Sequence, residues 1–171
     1  MKVRSLIAIV IFLTIICMPL IPLAITDDLT IVATNEVFQE AQEWVDFLRA
    51  KEIPLTHVTP PEFTKGSEAK YIVLMGGMDE PDGIRDIVKK ILSKEELQSI
   101  SRDENGKVFK KHIIPKDAKG PQMWASAKNY IIFTGNNRTA SAKARKRSKD
   151  MWWEELSIWF DIDESSATPL Y

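Results

Sequence analysis

Two short segments that follow apolar stretches carry the residues best suited to chemistry. The first is Gly76-Gly77, which is followed by the acids Asp79, Glu80 and Asp82. Open glycine amides can bind phosphate, and clustered carboxylates can hold a cation such as calcium. The segment has neither a G-x-G-x-x-G fingerprint nor a P-loop, and it lacks the alternation of an EF-hand. The acids would also repel phosphate. The alternative is that the three acids have no ligand and simply stabilise the start of a helix, where the helix dipole favours negative charge.

The second segment is Gly135-Asn136-Asn137-Arg138-Thr139, which again follows an apolar run. Arg138 could pair with a carboxylate or sulfate of a polymer, and Asn137-Arg138-Thr139 is an N-glycosylation sequon if the chain is exported. A glycine turn capped by Asn or Thr is the alternative. The candidate ligand-binding residues of the two segments are Gly76, Gly77, Asn136, Asn137, Arg138 and Thr139.

A basic run and an aromatic run follow the second segment. Six basic side chains and no acid lie within residues 138–149, a pattern that indicates either anionic partners or simply a solvated helix face. Residues 152–160 contain three tryptophans and a phenylalanine. These rings could stack on sugars or a partner, or they could pack in the core, either on a continuing helix or on a final strand over 157–162.

The sequence predicts no catalytic residues, no metal ligands and no cofactor. His57 and His112 are the only histidines, whereas a zinc site needs three or four His, Cys or acidic ligands. The only cysteine, Cys17, lies in the apolar N-terminal segment. A lone histidine in a strand is typical of a structural role. Whether the chain is an enzyme stays open, and the sequence favours a protein that is not one.

The first 26 residues are typical of a segment that directs a protein to the membrane. Residues 5–25 contain no charge, and Lys2 and Arg4 precede them. These 21 residues reach the length that spans a bilayer as a helix, about 20 residues. Pro19 and Pro22 break the pattern, however, and leave an apolar core typical of a cleaved secretory signal.

Signal and anchor both place the remainder of the chain outside the cytoplasmic membrane. We therefore divide the sequence into a signal peptide or anchor (1–26), an exported domain (27–164) and a frayed tail (165–171). Residues 27–171 carry 21 basic and 24 acidic side chains and no cysteine. This weak net negative charge, together with export, disfavours nucleic acid as a partner.

The pattern of apolar residues predicts one α/β domain with three layers and a mostly parallel sheet. Apolar runs without polar alternation are typical of strands that are covered on both faces, and helical spacing of apolar residues lies between them. The predicted strands are 29–33, 55–58, 71–75, 108–114 and 130–133. The two lysines in 108–114 predict that this strand lies near an edge of the sheet. The predicted helices are 37–48, 81–92, 93–100, which opens on a Ser-x-x-Glu capping box, and the segment that begins at 138.

The strand that ends in Gly76-Gly77, the helix after it and the segment 135–140 resemble modules of prokaryotic cell-surface proteins. They are similar to cell-wall-binding repeats, which have a strand ending in Gly-Gly and a Gly-x-x-Arg-x-x-Thr-Ala segment, and to S-layer-associated α/β domains of archaea. In this chain Thr139-Ala140 follow Arg138 directly. The resemblance implies an exported α/β fold that attaches to the envelope, and it implies no catalytic residues.

These observations lead us to expect an exported, non-enzymatic module on the cell surface that contacts a glycopolymer or a surface protein. If residues 1–26 are not cleaved, the membrane is a further partner. Two alternatives stay open: an exported hydrolase of envelope sugars that uses Asp79, Glu80 or Asp82, and a membrane-anchored accessory subunit of a complex.

Overall fold

A computed structural model describes residues 28–162 except 81, 117, 118, 121, 122, 124 and 125. These residues form an α/β fold with one five-stranded sheet. The strands are β1 (Leu29–Val32), β2 (Leu55–Val58), β3 (Tyr71–Gly77), β4 (Lys107–Ile113) and β5 (Lys128–Gly135). The helices are α1 (Asn35–Glu40), α2 (Gln42–Ala50), α3 (Pro60–Thr64), α4 (Arg85–Ile91), α5 (Lys94–Ser101), α6 (Arg138–Arg147) and α7 (Lys149–Phe160).

The strand order is β2-β1-β3-β5-β4. All pairs are parallel except β4 with β5, which is antiparallel. The predicted α/β class with a mostly parallel sheet is therefore confirmed, as is the edge position of the lysine-containing strand. The order of the strands reverses between β1 and β3, and in open α/β sheets such a reversal opens a crevice at the carboxyl ends of the two strands.

Alternate residues of the central strands pack under helices on opposite faces of the sheet. On one face, Met75 and Phe133 lie with α1, α2 and α7 in a cluster rich in aromatic rings. On the other face, Leu74 and Ile132 lie with α4 and α5. Because both faces are covered, the central strands are apolar throughout, as in parallel sheets generally.

The helices differ from the predicted ones in three respects. The predicted helix over 37–48 is divided at Ala41 into α1 and α2, and α4 begins at Arg85 rather than at the proline four residues earlier. The short helix α3 was not predicted, since Pro60-Pro61 is also typical of a loop. Its capping box, in which Glu62 Oε2 accepts from the Thr59 amide at 2.8 Å, is the sequence signal that could have identified it.

The alternative of a final strand over 157–162 is wrong, because α7 continues to Phe160 and ends at Asp161 in the left-handed conformation. Among the described residues there is no helix with the length and apolar character to cross a membrane. The segment 1–26 and the tail 165–171 lie outside the described residues, and their roles stay predictions.

Candidate functional site

The two candidate segments meet at the carboxyl ends of β3 and β5. Gly76 and Gly77 pair with Thr134 and Gly135 in parallel register, and the Met78 amide donates to the Gly135 carbonyl at 2.9 Å. A Cβ atom on Gly77 would lie 2.7 Å from the amide nitrogen of Arg138. The second glycine is therefore required by the close approach of the two segments, which leaves no room for a side chain.

The two glycine amides that could bind a phosphate already donate to protein atoms. The Gly76 amide donates to Ser141 Oγ at 3.2 Å, and this buried hydroxyl in turn donates to the Phe133 carbonyl at 2.8 Å. The Gly77 amide donates to Glu80 Oε2 at 3.2 Å. An anion at this position would have to displace the carboxylate of Glu80.

Arg138 joins the two sides of the crevice between β1 and β3. Its Nε donates to Glu80 Oε1 at 2.9 Å and its Nη1 to Glu40 Oε1 at 3.1 Å. Glu40 ends α1, which follows β1, whereas Glu80 follows β3. The hydrogen bond to Glu40, and to a smaller extent the one to Glu80, raises the pKa of Arg138 above its ordinary value. We call these three residues the Arg138 bridge.

Little open volume is left beside the Arg138 bridge. The cavity lined by Glu40, Met75, Arg138 and Ser141, among others, is about 10 Å³, which is about the space of one water molecule. A neighbouring cavity between α2 and α6 is about 40 Å³, whereas sites for small ligands usually measure about 300–1,000 Å³. Side chains of the chain itself therefore fill the crevice where α/β enzymes bind their substrates.

The other candidate residues of the second segment form an exposed polar surface around the bridge. Asn137 is the N-cap of α6, and its Oδ1 accepts from the Ala140 amide at 2.9 Å. The Asn136 amide group donates to the Ser101 carbonyl at 3.2 Å. Asn136, Asn137 and Thr139 are all exposed. The capped glycine turn is thus present, and it leaves these polar groups accessible at the surface.

The three acids of the first segment do not converge on one point. Asp79 and Asp82 are exposed, while the Glu80 side chain is 15% exposed and bonded within the Arg138 bridge. Within the described residues, no group of three or more His, Cys, Asp or Glu side chains could hold a metal ion. Of the two carboxylates that sugar hydrolysis normally requires, Glu80 could supply one only after release from the Arg138 bridge.

The basic run does not form one continuous charged surface. Arg145 is buried, with its guanidinium 5.9 Å from the centre of the Trp44 ring and its Nη1 3.7 Å from Met75 Sδ. Arg147 donates to the Gly106 carbonyl at 3.3 Å. The buried Arg145 therefore fits neither interpretation of the basic run, whereas Lys143, Lys146 and Arg147 are the exposed basic residues of α6.

Most of the aromatic run belongs to the core. Trp152 and Trp153 are 2% and 7% exposed and pack edge-on against Phe47. Trp159 and Phe160 are only half-buried and pack against Tyr71 at the opposite, amino edge of the sheet. Core packing therefore explains all four rings, although the last two stay partly exposed where they pack against the core.

Both histidines make local contacts. His57 Nε2 lies 2.9 Å from the Ala33 carbonyl oxygen, and its ring stacks on Phe38 with a centroid distance of 4.0 Å. His112 Nδ1 lies 2.6 Å from Asn129 Oδ1 on the neighbouring strand. These contacts position the ends of β1 and the β4–β5 pair.

Sequence reasoning missed two residues of the site, Glu40 and Ser141. Glu40 lies 98 positions before Arg138, and no local pattern reports such a pair. Ser141 has a weak signal, since it occupies the same helix face as the buried Ala144 and Arg145.

The fold and the site define an α/β domain whose carboxyl edge is closed by its own side chains. Comparisons with protein-family models, with curated proteins and with solved structures found no significant match. The function is therefore argued from the arrangement of these residues.

Proposed function

We propose that the chain is an exported, non-enzymatic binding module of a prokaryotic cell envelope that contacts envelope glycopolymer. Residues 1–26 export the domain and either anchor it or are removed. A surface-protein partner would use the same exposed surface, which lies around the Arg138 bridge at the carboxyl edge of the sheet.

The observation that carries this proposal is the Arg138 bridge. It occupies the crevice between β1 and β3, and the nearby cavity has room for about one water molecule. A substrate would first have to displace Glu80, whose side chain is 15% exposed, from its charge-assisted hydrogen bond to Arg138. A function at the outer surface of this edge requires no such rearrangement.

The chemistry of the exposed edge supports a polymer as the ligand. Asn136, Asn137 and Thr139 present amide and hydroxyl groups that can bond to sugar hydroxyls. Lys143 and Lys146 extend this surface along α6 with positive charge. An extended surface of polar groups with two exposed cations suits an acidic polysaccharide, which offers hydroxyls and carboxylates along its length.

Sedimentation of the purified chain with native envelopes tests the proposal, and α4 offers a matched control. The double variant Lys143→Glu/Lys146→Glu reverses two exposed charges on the proposed surface. The variant Lys89→Glu/Lys90→Glu reverses two exposed charges on the opposite side of the sheet. Both variants change the net charge equally, so a difference between them reports position rather than overall charge.

We expect the wild type and the α4 control to sediment with envelopes at low salt, and the α6 variant to remain in solution. Binding should weaken as salt rises, because screening shortens the range of exposed charges to about 10 Å at 0.1 M. Equal binding of the two variants would refute the assignment to α6. No retention of the wild type at low salt would contradict envelope binding itself.

A further inference from the structure

An open groove with an aromatic wall lies at the amino edge of the sheet, opposite the Arg138 bridge. It measures about 690 Å³ and is lined by Ile53, Tyr71, Trp159, Phe160 and Ile162, among others. The Tyr71 ring stacks on Trp159 at a centroid distance of 5.2 Å and contacts Phe160 at 5.3 Å. This groove is large enough for acyl or headgroup segments and is not filled by a described side chain.

The last turn of α7 adds exposed apolar surface beside the groove. Ile158 is 70% exposed, and the neighbouring rings Trp159 and Phe160 are only partly buried. Scattered apolar residues on a protein surface need no explanation, but the last turn of α7 carries the exposed Ile158 as well as Trp159 and Phe160, two partly exposed rings of the groove wall. Exposed apolar surface concentrated in one helical turn usually marks a contact surface.

The topology places this surface beside the point where the chain leaves the apolar segment. Leu29, the first residue of β1, pairs with Tyr71, whose ring forms the wall of the groove. Neighbouring strands lie about 4.8 Å apart. From Ile25, the last apolar residue before the first acid, to Asp28 the chain can span at most about 11 Å. An anchored domain must therefore hold its amino edge close to the membrane surface.

We propose that the amino edge rests on the membrane, with Ile158, Trp159 and Phe160 in the headgroup layer. This inference rests on the proposed export and additionally requires that residues 1–26 stay attached. Tryptophan is suited to the interface because its ring is apolar while its N–H remains polar. Lys70, whose ammonium lies 5.1 Å from the Tyr71 ring centre, adds a cation to the same edge.

The acids on the rim limit how deeply the edge enters. Glu52 and Asp161 also line the groove, and carboxylates are costly in hydrocarbon. The edge therefore lies in the polar headgroup layer, which accounts for about 5–8 Å on each side of the hydrocarbon core. This orientation directs the Arg138 bridge and the α6 lysines away from the membrane, toward the envelope polymer.

Site-specific quenching of a fluorophore in nanodiscs tests the orientation. Cys17 is the only cysteine, so Cys17→Ser with Ile158→Cys gives the full chain one labelling site at an exposed position. Cys17→Ser with Thr139→Cys places the same environment-sensitive label at the opposite edge, where Thr139 is also exposed. Lipids that carry a spin label just below the headgroup serve as the quencher.

We expect the label at position 158 to lose most of its emission and the label at position 139 to keep it. If the chain enters the nanodisc and neither label is quenched, the orientation is refuted while the proposed envelope module stands. A label at 158 that is shielded from water but not quenched would assign the groove to protein, such as the chain's own tail or a second copy. Native chains that lack residues 1–26 would also overturn this inference, leaving a secreted module.

Discussion

Replacing Gly77 with alanine tests whether the Gly-Gly segment serves packing rather than ligand binding. The new Cβ would lie 2.7 Å from both the Arg138 nitrogen and the Asn137 carbonyl carbon. Real Cβ atoms essentially never come closer than 3.0 Å to such atoms, and both are backbone atoms that cannot rotate away. The strand end and the start of α6 must therefore separate by several tenths of an ångström.

Overpacking of this kind costs about 1–3 kcal/mol. For a domain of this size, 1 kcal/mol lowers the midpoint of thermal unfolding by about 2–4 °C. Gly77→Ala should thus lower the midpoint by roughly 2–12 °C in thermal unfolding followed by far-ultraviolet circular dichroism. Movement of the α6 N-terminus should also weaken the bonds from Arg138 to Glu40 and Glu80.

Gly66→Ala is the matched control. Its Cβ would meet no atom within 4 Å, but the residue has φ +133°. The loss of stability in Gly66→Ala therefore measures the strain of the backbone conformation without a collision. Gly77 has no such conformation, and its cost measures the collision alone. A Gly77→Ala chain that unfolds at the wild-type temperature would refute the packing argument and return the segment to the ligand-binding interpretation.

Substitutions at three further positions have definite expectations. Hydrogen bonds from Lys111, whose ammonium lies 2.6 Å from Glu96, and from the Ser93 amide lower the pKa of Glu96. Glu96→Gln should therefore lower the free energy of unfolding by up to about 1 kcal/mol near neutral pH. In denaturant titrations this difference from the wild type should vanish as the pH falls through the lowered pKa. Asn137→Ala removes the N-cap of α6 and should lower the free energy of unfolding by about 1 kcal/mol, whereas Asn137→Asp should retain it. If the chain is exported, mass spectrometry of native protein should find a glycan on the exposed Asn137 of the sequon; the cap uses Oδ1 and a sugar on Nδ2 is compatible with it. Phe133→Ala deletes a fully buried ring that packs edge-on against Trp44, and it should cost about 3–5 kcal/mol in chemical denaturation.

The strands were predictable because burial on both faces leaves a direct trace in the sequence. Residues 71–75 and 130–133 are continuous apolar runs, and both lie in central strands. Lys110 and Lys111 likewise indicated the edge position of β4. The capping box at Ser93 correctly marked the start of α5, because a cap is a local hydrogen-bonding pattern that needs no tertiary contact.

The contacts of the site were not predictable, because they depend on distant segments. Nothing near Arg138 in the sequence indicates that its partners are Glu40 and Glu80, since the fold alone brings them together. The burial of Arg145 contradicts the usual behaviour of charged residues, although its helix face gave a weak signal. The number of basic residues in the run is therefore larger than the number that the fold leaves on the surface.

The location of the folded domain relative to the cytoplasmic membrane is the property on which the proposed function depends most. Proteolysis of intact native cells, followed by mass spectrometry of the chain, measures it directly. We predict that the chain fractionates with the envelope and that added protease digests it while a cytoplasmic marker survives. A chain recovered in the cytoplasmic fraction, and digested only after lysis, would contradict export and with it the assignment to the envelope.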